Sequence, residues 1–238
     1  MMLLENKSVM ITGANGGLGT ALVREALGHN AKKVYCCVRD ISKAEALKQL
    51  DARVELCALD TTDKQSVEAL ASKIDSIDIL INNAGTNSEQ RILQDNTVDF
   101  EVNLFGTLNV CRAFSDKIAK EGAIINVTSI LALVNLPVMG LYCASKSALH
   151  SATQALRAEF ALKGVEVYEV LAGPIDTSMS ENQPMEKASP EDVAKEVWAG
   201  YETKTFEIYP DPVAKGMKEG LTHAPEAVIA ECAQSING

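Results

Sequence analysis

Three side chains near the middle of the chain have types and spacing suited to moving a proton. Tyr142 and Lys146 are four residues apart, and Ser129 lies thirteen residues before Tyr142. Positions i and i+4 share one face of a helix, so the phenol and the ammonium can lie side by side. A phenol titrates near pH ~10, and a nearby cation favours the phenolate and brings its pKa toward the range of efficient acid–base catalysis.

This spacing predicts a site that gives or takes one proton at a carbonyl or alcohol oxygen, with the Ser129 hydroxyl holding that oxygen. The alternative is an ordinary amphipathic helix start, with a buried Tyr142 and a surface Lys146. The rest of the chain decides between the two.

The composition limits the classes of molecule that the protein is expected to bind. A chain of 238 residues with 47% apolar side chains suits a single α/β domain with a substantial core. The net charge of −10 and the lack of a basic cluster beyond Lys32-Lys33 argue against nucleic acid or an anionic membrane as a partner. An anionic cofactor must therefore be held by local devices such as backbone amides and single Arg side chains.

The six cysteines form no CxxC pair and have no histidine nearby at metal-binding spacing, so we expect reduced cysteines and no metal site. His29, His150 and His223 are dispersed, and His150 is expected to pack one turn beyond Lys146. The N-terminus lacks a signal-peptide pattern, and no segment approaches ~20 uninterrupted apolar residues. We therefore expect a cytoplasmic protein.

Short apolar runs alternate with longer segments of helical periodicity, which predicts βαβ units and a parallel sheet covered on both faces. The predicted strands are Ser8–Thr12, Lys33–Val38, Arg53–Ala58, Ile77–Ile81, Ala123–Val127, Val165–Leu171 and Phe206–Tyr209. The predicted helices are Leu18–Gly28, Ser42–Leu50, Lys64–Ile74, Val98–Lys120, Tyr142–Lys163 and Pro190–Glu202.

No repeat or linker divides the chain, so residues 1–238 are predicted to form one domain. The segment Thr177–Ser189 has weak periodicity and follows a strand, where open α/β sheets bind ligands. We expect it to be a substrate loop, and the alternative is a surface connection without function.

A glycine-rich turn, Thr12–Gly19, follows the first strand and leads into a helix. Glycines let a pyrophosphate approach the backbone, and the helix N-terminus offers free N–H groups and a partial positive charge. No Gly-Lys-Ser/Thr follows, so the turn is not a Walker A loop. Its place on the first strand–turn–helix predicts dinucleotide binding rather than a merely structural turn.

The end of the second strand bears on the choice of cofactor. NAD enzymes usually carry an acidic residue there for the adenosine ribose, whereas an Arg suits a 2′-phosphate. The expected acidic position is Val38 and Arg39 follows, which favours NADP. If the register slips by a residue or two, Asp40 becomes a ribose acceptor; a solvated strand end is the third interpretation.

Taken in order, the motifs Thr12–Gly19, Asn82–Gly85, Asn103, Ser129 and Tyr142-xxx-Lys146 resemble the short-chain dehydrogenase/reductase family over nearly the whole chain. The resemblance implies a doubly wound Rossmann domain with a seven-stranded parallel sheet of order 3-2-1-4-5-6-7. It further implies an NADP(H)-preferring, carbonyl reductase-like enzyme.

The resemblance also implies roles for single residues. Tyr142 would be the catalytic acid/base, Lys146 would hold the nicotinamide ribose and lower the Tyr142 pKa, Ser129 would orient the substrate carbonyl, and Asn103 would hold a water of a proton relay. Asp60 would contact adenine, its alternative being a helix N-cap, for which Asp63 is the better candidate. The implied cofactor-binding set, besides Tyr142 and Lys146, is Gly13, Asn15, Gly16, Gly17, Leu18, Gly19, Arg39, Asp60, Asn82, Ala84, Gly85, Gly173, Pro174, Ile175 and Thr177, with Asn83 more structural.

Two positions depart from the family pattern. Ala172 stands where the family commonly has Pro before Gly173, which puts the rigidity of that turn in doubt. Gly16 occupies a position where NADP-preferring members often carry a basic residue, so Arg39 would read the phosphate without that help.

The predicted substrate pocket is apolar and lacks an Arg or Lys that could hold an anionic substrate, which suggests an uncharged, rather hydrophobic ketone or aldehyde. Its candidates are Ile130, Leu131, Leu133, Val134, Leu136, Met139, Leu141, Met179 and Met185, each of which could equally be core. The predicted helices Val98–Lys120 and Tyr142–Lys163 are apolar on more than one face, and with the family's habit this suggests a homodimer or homotetramer.

The resulting function is hydride transfer between NADP(H) and a small to medium carbonyl compound or secondary alcohol. An NAD-linked alcohol dehydrogenase of the same fold and a non-catalytic dinucleotide-binding regulator are the alternatives. The longer epimerases and dehydratases of this fold add a C-terminal substrate region, for which we expect too few residues after Tyr209.

Overall fold

Seven parallel strands form one sheet in the computed structural model, which describes residues 3–181 and 185–237. The strand order is β3-β2-β1-β4-β5-β6-β7, so the predicted topology is confirmed. The strands are β1 Ser8–Thr12, β2 Lys33–Val38, β3 Val54–Ala58, β4 Ile77–Asn82, β5 Ile118–Val127, β6 Glu166–Val170 and β7 Glu207–Ile208.

Helices cover both faces of this sheet, because its strands alternate their side chains between two apolar clusters. Val9 and Ile11 point into the cluster on the side of α1 and α6, whereas Met10 points into the cluster on the opposite face. The helices are α1 Gly17–Gly28, α2 Glu45–Lys48, α3 Lys64–Ala71, α4 Thr107–Phe114, α5 Gly140–Ala161, α6 Pro190–Glu202, α7 Pro212–His223 and α8 Pro225–Ala233.

The predicted long helix Val98–Lys120 is wrong at both ends. A π-helical segment, Phe100–Gly106, precedes α4, and the chain is already in β5 from Ile118. Ile118 pairs with Ile77 of β4 before the register shifts. A Cβ at Gly122 would lie 2.5 Å from the carbonyl oxygen of Asp78, so the irregularity depends on a glycine that helical periodicity does not reveal.

The predicted helix Ser42–Leu50 divides into a 3₁₀ turn, Ile41–Lys43, and the short α2. Asp40 causes the early start, because its side chain accepts a hydrogen bond from the Ser42 N–H and caps the turn.

Two helices after β7 were not predicted. Asp211 caps α7 by accepting a hydrogen bond from the Ala214 N–H, with Pro212 in the first turn, and Pro225 begins α8. An Asp followed by Pro is a helix-start signal, so the sequence did contain a pointer to α7.

Within the described ranges, no helix is long and apolar enough to cross a membrane. The six cysteines are all free and buried. In the same part of the chain, no cluster of three or more His, Cys, Asp or Glu side chains is placed to hold a metal ion.

Candidate active site

A cavity of about 1410 Å³ opens at the carboxyl ends of the central strands. It extends from the glycine-rich turn after β1, past the ends of β2 and β4, to Tyr142 on α5 and on to α7 and α8. One continuous space therefore joins the predicted dinucleotide site to the predicted proton-transfer site.

The glycine-rich turn has a geometry that suits pyrophosphate. Gly13 has φ +63°, and a Cβ there would lie 2.9 Å from the Ala84 Cα. A Cβ at Gly19 would lie 2.2 Å from the Gly13 carbonyl oxygen, so only glycine allows α1 to approach the turn this closely. No side-chain cap covers the start of α1 at Gly16, so its first N–H groups can bind an anion. All the predicted residues of the turn line the cavity, namely Gly13, Asn15, Gly16, Gly17, Leu18 and Gly19.

The segment after β4 is fixed to this turn by side chains. Asn83 donates from Nδ2 to the carbonyl oxygens of Thr12 and Gly13 at 3.0 and 3.1 Å, as its predicted structural role requires. Ala84 and Gly85 line the cavity beside it.

Asn82 differs from the prediction. It is buried behind the cavity wall, where its Nδ2 donates to the Asn126 Oδ1 at 2.9 Å. Its side chain therefore links β4 to β5 and does not line the space predicted for adenosine, because the alternation along β4 points it to the face of the sheet where Cys111 and Asn126 lie.

The end of β2 places Arg39 and not Asp40 at the cavity. The strand ends at Val38, as predicted, and the exposed Arg39 follows directly. Asp40 is outside the lining and is engaged by Ser42, whose hydrogen bonds lower its pKa. The register slip that would have made Asp40 a ribose acceptor does not occur.

Asp60 lies on the cavity wall after β3. Its Oδ1 accepts from the N–H and hydroxyl of Thr62 at 2.9 and 2.7 Å, and these bonds, with a smaller effect from Arg39, lower its pKa. The N-cap of α3 is Asp63, which accepts from the Gln65 N–H. Asp60 is thus left at the cavity, where the resemblance places the adenine contact.

Ser129, Tyr142 and Lys146 meet on the cavity wall beyond the turn. Ser129 follows β5, accepts from the Leu131 N–H at 3.1 Å and donates to the Ala172 carbonyl at 3.3 Å. Lys146 is buried, donates from Nζ to the Val127 carbonyl at 2.9 Å and lies 5.8 Å from the centroid of the Tyr142 ring. The helix α5 therefore does present the phenol and the ammonium on one face.

The pKa of Tyr142 differs in direction from the expectation. Burial raises it to about 12, and the Ser129 hydroxyl offsets only part of that rise. Burial lowers the pKa of Lys146 to about 8, against the raising effects of Glu169 and Asp99. Tyr142 is half-buried on a cavity wall, so its pKa depends on what occupies the cavity.

Asn103 lies in the π-helical segment, fully buried beside the same wall. Its Nδ2 donates to the Ser145 hydroxyl and the Thr86 carbonyl, both at 2.9 Å, and its Oδ1 accepts from the Thr86 N–H at 2.8 Å. A Cβ added to Gly85 would lie 3.2 Å from the Asn103 Oδ1 and 3.5 Å from the Lys146 Nζ. The side chain thus lies close to Lys146, with both amide N–H groups donated to protein and one of the two lone pairs of its oxygen accepting from protein.

Hydrogen bonds fix the turn after β6, although Ala172 stands where the family commonly has a proline. The Ala172 carbonyl accepts from the Ile130 N–H at 2.9 Å, and the Gly173 N–H donates to the buried Asp211 carboxylate at 2.7 Å. These contacts supply the rigidity that the missing proline put in doubt. Gly173, Pro174, Ile175 and Thr177 all line the cavity.

The substrate end is apolar, and the five principal candidates Ile130, Leu131, Leu136, Met139 and Met179 line it, together with Met185. Leu133, Val134 and Leu141 do not line it: Leu133 and Val134 follow the 3₁₀ turn Ile130–Ala132, and Leu141 is buried in the first turn of α5. The predicted loop Thr177–Ser189 contains a 3₁₀ turn, Ser178–Ser180, and its residues 182–184 lie outside the described part of the chain.

The cavity wall formed by α7 and α8 was not predicted from the sequence. It adds side chains from both helices, among them Val213, Met217, Val228 and Cys232. The capping signal at Asp211 and Pro212 could have located α7, but not the direction in which it packs.

Comparison with known proteins supports this geometry. Residues 7–188 match a protein family described as short chain dehydrogenase. An uncharacterized oxidoreductase of Staphylococcus saprophyticus is 34% identical over 213 residues, covering 82% of this chain and 91% of that protein.

Two solved structures share the fold. A short chain dehydrogenase from Burkholderia cenocepacia J2315 in complex with NADP is 39% identical, with a TM-score of 0.89 over 98% of this chain and 99% of that chain. A short chain dehydrogenase/reductase from Burkholderia phymatum in complex with NAD is 21% identical, with a TM-score of 0.83 over 95% of this chain and 96% of that chain; at this identity it shows the fold alone.

Proposed function

This chain belongs to the short-chain dehydrogenase family and is an NAD(P)-dependent oxidoreductase, and from that premise we propose that it acts on an uncharged, rather hydrophobic ketone, aldehyde or secondary alcohol with NADP(H). The observation that carries the proposal is the single cavity that joins an uncapped helix N-terminus to Ser129, Tyr142 and Lys146. A non-catalytic regulator would need the first of these features but not the second.

When bound, the nicotinamide cofactor supplies the hydride. Tyr142 gives the proton to the substrate oxygen in reduction and takes it in oxidation. The Ser129 hydroxyl, already oriented by the Leu131 N–H, holds that oxygen against the phenol. Lys146 contributes a positive charge beside the phenol, which favours its ionised form.

The position of Asn103 supports a role in orienting this site. It joins the π-helical segment to Ser145 on α5 and to Thr86 after β4, so it fixes three elements around Lys146. We propose that a water passes protons to Lys146 from this side.

Arg39 supports the choice of NADP. It lies exposed on the cavity wall at the end of β2, and its planar guanidinium suits a phosphate. Asp40 is bonded to Ser42 outside the lining, so its negative charge does not occupy the place of the 2′-phosphate. The NADP-bound relative at 39% identity supports the same choice.

The substrate class follows from the apolar wall. The charged side chains that the structure places on the described lining are Arg39 and Asp60 at the cofactor end, Lys146 in the centre, and Glu101 and Glu231. Arg39 would bind the cofactor and Lys146 lies beside Tyr142, so the described lining has no further cation that could hold a substrate carboxylate.

The cofactor choice is tested by titrating the wild type and Arg39→Ala with NADPH and, separately, with NADH. Arg39 is exposed, so its charge-assisted bond lies at the lower end of about 1.5–3 kcal/mol, and NADPH affinity should fall about tenfold with little change for NADH. Arg24→Ala removes the same charge at a position outside the cavity lining and serves as the control. Equal losses for both cofactors would remove Arg39 from the 2′-phosphate site, and tighter NADH binding by the wild type would favour an NAD-linked alcohol dehydrogenase.

The assembly is proposed to be a homodimer or homotetramer that uses the outer faces of the π-helical segment and α5. Phe105 is 46% exposed on the first and Leu162 is 90% exposed at the end of the second, which a second copy would cover. The mass measured by light scattering tests this, and a monomer at micromolar concentration would contradict it.

A further inference from the structure

A carboxylate that the mechanism above does not use lies buried behind the catalytic helix. Glu169 on β6 has no exposed surface, and its two oxygens lie 3.0 and 2.9 Å from the Nδ1 of His150 on α5. Removing a carboxylate from water is costly unless a partner compensates it. His150 is therefore the polar partner of a buried acid, and the packing role predicted for it is incomplete.

This pair lies next to Lys146 along the helix. His150 is four residues after Lys146, so the two side chains share the face of α5 that packs on β5 and β6. The His150 Nδ1 faces Glu169, and its Nε2 lies 3.0 Å from the amide nitrogen of Gln154 toward the surface. The carboxylate is thus the buried end of the pair. It lies next to the anchor of the catalytic lysine, because Glu169 pairs across the sheet with Asn126 and the Lys146 Nζ donates to the carbonyl of the adjacent Val127.

We propose that Glu169, held in place by His150, is a positioning residue that keeps Lys146 in its ammonium form under the active site and so sets the upper pH limit of catalysis.

Electrostatics supports the geometry. Burial lowers the pKa of Lys146, and Glu169 is the larger of the two groups that oppose it, the other being Asp99. Burial raises the pKa of Glu169 itself, and the nearby His150 works against that rise. Without a charged Glu169, Lys146 would lose its proton at a lower pH.

Two acids in and just after β7 also act on or respond to Glu169. Glu207 on β7 raises the pKa of Glu169, and Tyr209 just after β7 feels the Glu169 charge in turn. Both are acids, so neither can replace His150 as the partner that keeps the buried carboxylate ionised. The Thr128 hydroxyl adds a hydrogen bond that also favours the ionised form.

The effect on catalysis rests on the proposed function, so the test measures Lys146 directly as well. Cyanate carbamylates the neutral amine, and peptide mass spectrometry of Lys146 across pH 6–11 gives the midpoint of its titration without any substrate. In the variant Glu169→Gln, which keeps the shape and the hydrogen bond to His150, we expect the midpoint to fall by about one pH unit. The alkaline limb of kcat should move by the same amount.

Glu166→Gln is the matched control. It removes the same charge from the same strand, but Glu166 is bonded to Tyr168 and Lys204 away from the active site. Its Lys146 midpoint should stay at the wild-type value. An unchanged midpoint in folded Glu169→Gln overturns the proposal, as does an equal shift in both variants.

His150→Gln covers the case in which Glu169→Gln does not fold. It removes the imidazole that favours the ionised form of Glu169, so the acid takes up a proton more readily and the Lys146 midpoint should fall in the same direction. A midpoint that stays constant or rises contradicts the proposal. Absence of turnover in the wild type would instead contradict the proposed function, because the cyanate result does not depend on it.

Discussion

Replacing Asp211 with alanine should loosen the wall that α7 and α8 form at the substrate end. The Asp211 carboxylate is only 2% exposed, and it accepts from the Ala214 N–H at 2.9 Å and from the Gly173 N–H at 2.7 Å. One bond caps α7, and the other ties that helix to the turn after β6.

The size of the effect follows from these two bonds. Loss of an N-cap costs about 0.5–2 kcal/mol, and loss of a hydrogen bond to a charged acceptor costs about 1.5–3 kcal/mol. Because one carboxylate makes both bonds, we expect Asp211→Ala to lower the free energy of unfolding by about 2–4 kcal/mol. Asp211→Asn keeps one acceptor oxygen and should lose about half of that amount.

Urea denaturation measures the stability, and steady-state kinetics with a ketone substrate measures the consequence for the cavity. Since α7 and α8 form the substrate wall, the KM for the ketone should rise more than kcat falls. Asp63→Ala is the control, because it removes a single exposed cap of α3 away from the substrate end and should cost about 1 kcal/mol with no change in KM. An unfolding free energy of Asp211→Ala within about 0.5 kcal/mol of the wild type would refute the reasoning.

Two further substitutions test the turn and the buried lysine. Gly19→Ala places a Cβ 2.2 Å from the Gly13 carbonyl oxygen, so it should weaken NADPH binding at least about tenfold and cost about 1–3 kcal/mol of stability. Gly28→Ala is the control, because its Cβ would meet no neighbouring atom within 4 Å, and it should be neutral or slightly stabilising. NADPH titration and urea denaturation check both variants, and equal behaviour would contradict the steric argument. Lys146→Met should abolish turnover yet raise the unfolding free energy at pH 7 by up to about 3 kcal/mol. The reason is that burial lowers the pKa of Lys146 to about 8 in the folded state from 10.5, so keeping the ammonium buried costs free energy that the methionine does not. Between those values the unfolded wild type binds more protons than the folded one, so wild-type stability rises with pH. The advantage of the variant should shrink above pH ~8 and vanish above pH ~11. An advantage that is the same at every pH would contradict the assigned burial cost.

The sheet was predictable because its strands are short, continuous apolar runs separated by helical periodicity. The strand bounds Ser8–Thr12 and Lys33–Val38 agree in sequence and structure, since polar or glycine residues mark both ends. The turn before α1 was equally predictable, because only glycine tolerates the close approach of Gly19 to the Gly13 carbonyl.

Other features depend on contacts between distant segments. The end of α4 at Phe114 is set by β5 pairing with β4, and neither is encoded in the periodicity of residues 98–120. The raised pKa of Tyr142 comes from burial by surrounding elements, which the spacing to Lys146 does not report. The Glu169–His150 pair spans β6 and α5, so only the folded chain reveals that a charged strand residue faces inward.

Tyr142 moves the proton in the proposed reaction, while the rest of the cavity binds the cofactor. Tyr142→Phe can therefore be compared with the wild type in two assays: NADPH consumption over a panel of uncharged alkyl and aryl ketones, and NADPH affinity. Tyr201→Phe removes a hydroxyl bonded to Lys7 outside the cavity lining and should behave as the wild type. We expect Tyr142→Phe to lose about 10²–10⁴-fold in kcat while its NADPH affinity stays within about threefold. Turnover close to that of the wild type in Tyr142→Phe would show that another group moves the proton.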